Sequence, residues 1–221
     1  VTEDGRAREV VRVSPATTPM PVAVIVDNQA AAQRTIADLR NALVSFLAEL
    51  DGVGPIALIT TADRPTIVQD YTTDAAKLRD AATRIFAQPD SGATLLDAIV
   101  EVSKGLSKRE DDRAAIVLVT LELTEFSTLH YTQVLDGLKS SGAMMNAVVL
   151  TNQTGSMQND AARNRAVVLD RGTVETGGVR VDVLTSMSFG GALTQVAGAL
   201  QHQHRVVYAR PQTLIPPERI A

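Results

Sequence analysis

The stretch PVAVIVDNQAAAQRTIADLR, residues 21–40, decides the fold. It opens with PVAVIVD, a continuous apolar run of strand length, as expected for a strand buried on both faces. Ile36, Leu39, Leu43, Phe46, Leu47 and Leu50 then recur at helical spacing, and Asp51-Gly52 stops the helix. At the junction stands an acid, Asp27, followed by Asn28, Gln29, Ala30 and Ala31. Many α/β proteins place a metal or phosphate at such a junction.

The same change of period repeats along the chain. PIALITT is a second buried strand, and PTIVQDYT follows after only the few residues around Asp63-Arg64-Pro65. That gap is too short for a helical crossover, so these two strands are expected to pair antiparallel. Thr73-Asp74 caps a helix predicted through Leu78, Ala82, Ile85 and Phe86. Leu95, Ile99, Val102 and Leu106 mark the next helix, and AAIVLVTLEL is a third apolar strand. Residues 129–139 carry a helical face of Tyr131, Val134, Leu135 and Leu138, with Gly142 as C-cap, before the buried strand AMMNAVVLT. Residues 156–170 read as weakly helical, 172–178 as a loop, and VRVDVLT as extended. Phe189, Leu193, Val196 and Leu200 make a last helix, and HRVVYARP a last strand.

This alternation predicts an α/β fold: a doubly wound, mostly parallel sheet with one antiparallel edge strand and helices on both faces. Crossovers are expected to be right-handed. Residues 1–20 read as an extended arm and Pro/Thr linker, 21–210 as the domain, and 211–221 as a proline-punctuated tail.

With 221 residues the chain is long enough for one sizeable core. A net charge of -4 gives no electrostatic reason to expect nucleic acid. No apolar run approaches the roughly 18 residues that a membrane helix needs. The absence of cysteine excludes disulfides, thiolate zinc sites and a cysteine nucleophile, without fixing the compartment. A start at Val1 suggests an excised or processed piece of a longer chain.

In doubly wound sheets ligands bind beyond the carboxyl ends of the strands, which directs attention to residues 27–31, 60–63, 121–125 and 151–154. DNQAAAQR contains no glycine, so its backbone cannot approach a pyrophosphate closely, and no phosphate-binding Gly-x-x-x-x-Gly-Lys segment occurs. His202 and His204 lack a third zinc ligand nearby and read as solvated. His130 has no Gly-x-Ser-x-Gly context, Asp111-Asp112 reads as solvated charge, and Asn152-Gln153-Thr154 is a short glycosylation triplet. At 3% aromatic residues there is no stacking platform for sugars or bases.

Several segments, in order, resemble the von Willebrand factor type A domain, in its bacterial VWFA-related branch. VAVIVDNQ resembles the family's first strand ending in Asp-x-Ser-x-Ser, SGATLLDAI its GGTxLLDAI segment, and AAIVLVTLEL the strand that ends in VLVTDG. TGGVRVDV, ALQHQHRVVYARP and VTEDGRAREVVRV resemble the closing and preceding segments of that branch. The resemblance implies a metal-ion-dependent adhesion site, in which Asp and two Ser from the first loop, Thr from the second and Asp from the third hold a hard cation. A partner carboxylate completes that shell.

Carried over residue by residue, the first Asp is Asp27. The serine positions fall on Gln29 and Ala31, the threonine position on Ala93 with Thr94 one place late, and the third-loop acid on Leu121, followed by Glu122. Alanine and leucine side chains offer no oxygen, so the expectation is a degenerate site with no metal and no cofactor. Asp27 then has a structural reading: a strand-end carboxylate accepting N–H bonds from its own turn or the next helix, where the dipole favours negative charge. Asn28 and Gln29 read equally as turn residues or as exposed polar groups.

The resulting expectation is a non-enzymatic module that binds an unknown protein partner without a working metal site. Its contact rim would be Asp27, Asn28, Gln29, Thr94, Glu122 and Glu125, bordered by residues 151–158. The resemblance implies a bacterial, extracytoplasmic (periplasmic or secreted) setting. The alternative is a small-molecule-binding or enzymatic α/β domain using the same crevice, with Asp27 as general base.

Overall fold

The structure, a computed structural model, describes residues 1–109, 111–122, 125–151 and 159–210. The expected tail 211–221, the triplet 152–154 and all of the 151–158 loop except Thr151 lie outside the described residues. The chain divides into two compact units, one of Val1–Thr17 with the segment from Gln201, the other of Thr18–Leu200.

In the smaller unit, β1 (Thr2–Glu3) and β2 (Arg6–Ala7) form a short antiparallel hairpin. The following strand, β3 (Val10–Pro15), pairs antiparallel with the C-terminal strand His204–Tyr208. The segment REVVRVSP of the arm, whose weak alternation allows an edge strand, contains β3. The final strand HRVVYARP leaves the central sheet and joins β3 instead, which differs from a single domain over 21–210.

The larger unit is built on β4 (Val22–Val26), β5 (Ile56–Thr60), β6 (Thr66–Thr72), β7 (Ala114–Leu121), β8 (Ala143–Leu150) and β9 (Arg180–Val183). They form one six-stranded sheet in the order β6-β5-β4-β7-β8-β9. All pairs are parallel except β5 with β6, where Thr60 faces Thr66 across the short Asp63-Arg64-Pro65 connection. Among the described residues six α-helices cover the sheet: α1 (Ile36–Glu49), α2 (Ala75–Thr83), α3 (Leu95–Ser107), α4 (Tyr131–Ser140), α5 (Asp160–Glu175) and α6 (Phe189–Gln201).

Strand alternation explains the unbroken apolar runs. Val22, Val24 and Val26 of β4 point into a core with Leu39, Leu43 and Phe46 of α1, Leu78 of α2 and Phe189, Leu193 and Val196 of α6. Ala23 and Ile25 point the other way, among Leu95 and Ile99 of α3, Val134 and Leu135 of α4 and Val168 of α5. Each large apolar side chain so enclosed is worth about 1.5–3 kcal/mol of transfer free energy.

Two expected helix limits are corrected. α2 ends at Thr83, and Phe86, expected on its buried face, is 60% exposed. α5 runs on through Gly172 to Glu175, where a loop was expected. Gly172 serves close packing rather than a break: a Cβ there would lie 2.5 Å from Met145 Cε of β8. Among the described residues no helix is long and apolar enough to cross a membrane.

Candidate functional site

Asp27 directly follows β4, is fully buried, and donates its backbone N–H to Val119 O at 2.9 Å. Its carboxylate is enclosed by donors. Oδ1 accepts from Gln29 N at 3.2 Å. Oδ2 accepts from Gln29 Nε2 at 3.0 Å, Thr120 Oγ1 at 2.9 Å and Leu121 N at 3.4 Å. These bonds come from its own turn and from the adjacent strand end.

The cation of this centre arrives from α5. Arg165 is 1% exposed, and its Nη2 donates to Thr120 Oγ1 at 2.6 Å and to the Leu121 carbonyl. The same nitrogen lies 3.8 Å from Asp27 Oδ2, and Nε lies 3.9 Å from Glu125 Oε2. Thr120 Oγ1 thus relays between carboxylate and guanidinium, donating to one and accepting from the other. Asn159 Oδ1 caps α5 by accepting from Ala162 N at 2.8 Å, and Ala162, Arg165, Val168 and Leu169 form its buried face.

Glu125 is also buried. Its Oε1 accepts from Ser127 N at 3.2 Å, while Oε2 has no hydrogen-bond partner among the described residues. Burial is the main influence and pushes its carboxyl above the ordinary glutamate value, against the opposing pull of Ser127 and Arg165. Ala93 sits between Glu125 and Ala62 in isolated bridges, and Phe126 N donates to Ala93 O at 2.8 Å.

Asn28 joins two loops. Its Nδ2 donates to Phe86 O at 3.0 Å, its Oδ1 accepts from Ala62 N at 3.0 Å, and its carbonyl accepts from Gln88 N at 2.9 Å. Thr94 turns its hydroxyl inward, donating to Thr61 O at 3.0 Å.

The structure brings Asp27, Gln29 and Leu121 together, and adds Thr120 and Arg165, which sequence reasoning missed. The expectation of exposed rim groups is corrected for Asp27, Asn28, Gln29 and Glu125, all buried: Asp27 and Gln29 bond each other, Asn28 bonds the loop backbones, and Glu125 accepts from Ser127 N. Thr94 is 9% exposed and Glu122 half-buried. Among the described residues no group of three or more His, Asp or Glu is placed to hold a metal ion. His130 caps α4 by accepting from Thr132 N at 3.5 Å, and His202 is exposed.

Beside this centre opens a cavity of about 680 Å³. Leu121, Leu150 and Leu184 supply its apolar walls, Thr185 and Ser186 its hydroxyls, and Arg34 its charge; Asp27 is not among its lining.

The mostly parallel sheet with its antiparallel edge strand and flanking helices matches solved structures. The von Willebrand factor type A protein from Catenulispora acidiphila superposes with a TM-score of 0.64 at 12% identity, over 88% of this chain and 46% of that one. The chain has the von Willebrand factor type A (VWA) fold. The vWF domain of the type V pili tip protein Mfa5 from Porphyromonas gingivalis matches with a TM-score of 0.63 at 10% identity, over 84% of this chain and 96% of that domain. An aerotolerance-related membrane protein from Bacteroides fragilis matches with a TM-score of 0.61 at 14% identity, over 81% and 99%. This chain spans about half the length of the Catenulispora protein and nearly all of the other two. No protein-family model and no curated protein matches the sequence. At these identities the likeness to other VWA structures concerns the fold alone.

Proposed function

We propose that this VWA-fold chain is a non-enzymatic protein-interaction module that works without a divalent cation at its strand ends. The observation that carries the reading is the donor set around Asp27. Mg²⁺ requires near-octahedral oxygen ligation and gives up water reluctantly. Here the mapped ligand positions Ala31, Ala93 and Leu121 have no side-chain oxygen, and Gln29 turns its NH₂ toward Asp27. Thr94 spends its hydroxyl on Thr61 O. The residues present do not fit the ion.

The proposed contact surface is the strand-end face. Glu122 is its accessible member, while Asp27, Asn28, Gln29, Thr94 and Glu125 shape the face from beneath. Pilus-tip and aerotolerance membrane proteins among the fold neighbours support a bacterial, extracytoplasmic setting with a protein partner. A general-base role for Asp27 finds no support, since four donors already engage its carboxylate and it does not line the neighbouring cavity.

Thermal unfolding with and without millimolar Mg²⁺, Mn²⁺ or Ca²⁺ tests the reading, because a ligand specific for the native state raises the midpoint by mass action. The expected result is no shift. A rise that disappears in Asp27→Asn overturns it. Crosslinking and pull-down from the source organism identifies the partner; recovery of a small metabolite and no protein favours the crevice-binding alternative.

A further inference from the structure

We infer that the Arg165 guanidinium is the resident counter-cation of the strand-end centre, supplying from α5 the positive charge against which Asp27 and Glu125 are buried. The inference rests on the cation-free reading above and goes further by naming what stands in the cation's stead.

Position is the first argument. Arg165 engages the chain at two of the mapped ligand positions. It approaches Asp27 directly and through Thr120 Oγ1, and it donates to the main-chain carbonyl of Leu121, where the family places its third-loop acid. Charge is the second. Among the described residues of Thr18–Leu200, the buried charged side chains are Asp27, Glu125 and Arg165, and the three lie together. A carboxylate taken out of water without compensation is costly, and removing one partner of such a cluster leaves that cost exposed.

Chemistry is the third argument. A guanidinium is charged at every accessible pH, and its fixed fork of N–H donors suits convergent oxygens. Thr120 Oγ1 and the Leu121 carbonyl both accept from Nη2, while Nε faces Glu125 at 3.9 Å. A charge attached covalently to α5 cannot be withdrawn by a chelator. The strand-end geometry of this chain is therefore independent of divalent-ion supply.

The test is a charge cycle on the full 221-residue chain, measured by thermal unfolding in chelator. Arg165→Met keeps most of the side-chain volume and removes the charge, so its midpoint is expected to fall by roughly 6–20 °C. Adding Asp27→Asn and Glu125→Gln to Arg165→Met removes the uncompensated acids and is expected to restore at least half of that fall. An Arg165→Met midpoint equal to wild type overturns the inference, as does a triple variant no more stable than Arg165→Met. Should Arg165→Met fail to fold, circular dichroism of the triple variant decides: a native spectrum supports the inference and an unfolded one overturns it. A wild-type midpoint that rises with millimolar divalent ions is a different result, and it counts against the cation-free reading itself.

Discussion

Replacing Asn28 with alanine separates a structural staple from a recognition residue. The Asn28 amide holds Ala62 N and Phe86 O, each at 3.0 Å, and so ties the turn after β5 to the loop after α2. Ala62 is 4% exposed, and in Asn28→Ala its N–H is left buried without a partner, a loss of about 1–3 kcal/mol. Phe86 is largely exposed and its carbonyl can turn to water, so that bond adds about 0.5–1 kcal/mol. The expected destabilisation is about 1.5–4 kcal/mol, a sizeable part of the 5–15 kcal/mol typical of a domain. Urea unfolding of wild type and variant, with an unchanged m-value, measures it directly. A loss below about 0.5 kcal/mol would refute the staple and return Asn28 to the pool of contact residues.

Other perturbations bear on the scaffold and on the centre. Gly178→Ala places a Cβ 1.9 Å from Met145 O, and overpacking of this kind is expected to cost about 1–3 kcal/mol or more, readable as a lowered urea midpoint. Phe46→Ala empties part of the α1 core and is expected to cost about 3–5 kcal/mol in the same assay. Asp74→Ala removes the acceptor of Ala76 N and Lys77 N at the start of α2 and is expected to cost only about 1 kcal/mol. Glu125 has its carboxyl raised by burial, so the native state holds its proton more tightly than the unfolded chain. Its contribution is full below the ordinary glutamate range and is lost as pH rises through the raised value. Glu125→Gln should flatten that fall in a stability-versus-pH series, and an unchanged slope would contradict the assignment.

The sheet was legible because β4, β5, β7 and β8 are buried on both faces and show it as unbroken apolar runs. The antiparallel turn was legible from the length of one connection. α5 was harder. It carries Gly172 and Thr173, which read as a break, yet Gly172 lies inside the helix and packs against Met145. Asp27 stood out as the acid ending an apolar strand. Arg165 did not, although its spacing of three residues from Ala162 and from Val168 places it on the buried stripe of α5. Much of the centre is also made by groups with no signature in sequence, such as the N–H and C=O of Leu121. Burial of Asn28 and Gln29 depends on which loops close over them, and those loops come from residues 60–94, far along the chain.

The two margins of the central sheet bear on how the chain avoids association with itself. β9 offers four residues, and its Arg180 is held by Asp170 at 2.5 Å and Asp182 at 3.0 Å. β6, at the opposite margin, has an interrupted register against β5 between Ile56 and Leu58 and again between Leu58 and Ile59. Brevity and charge at one margin and irregular twist at the other deny an incoming strand a long straight ladder, the usual seed of amyloid-like stacking. The two margins thus guard a sheet rich in valine and leucine by different means.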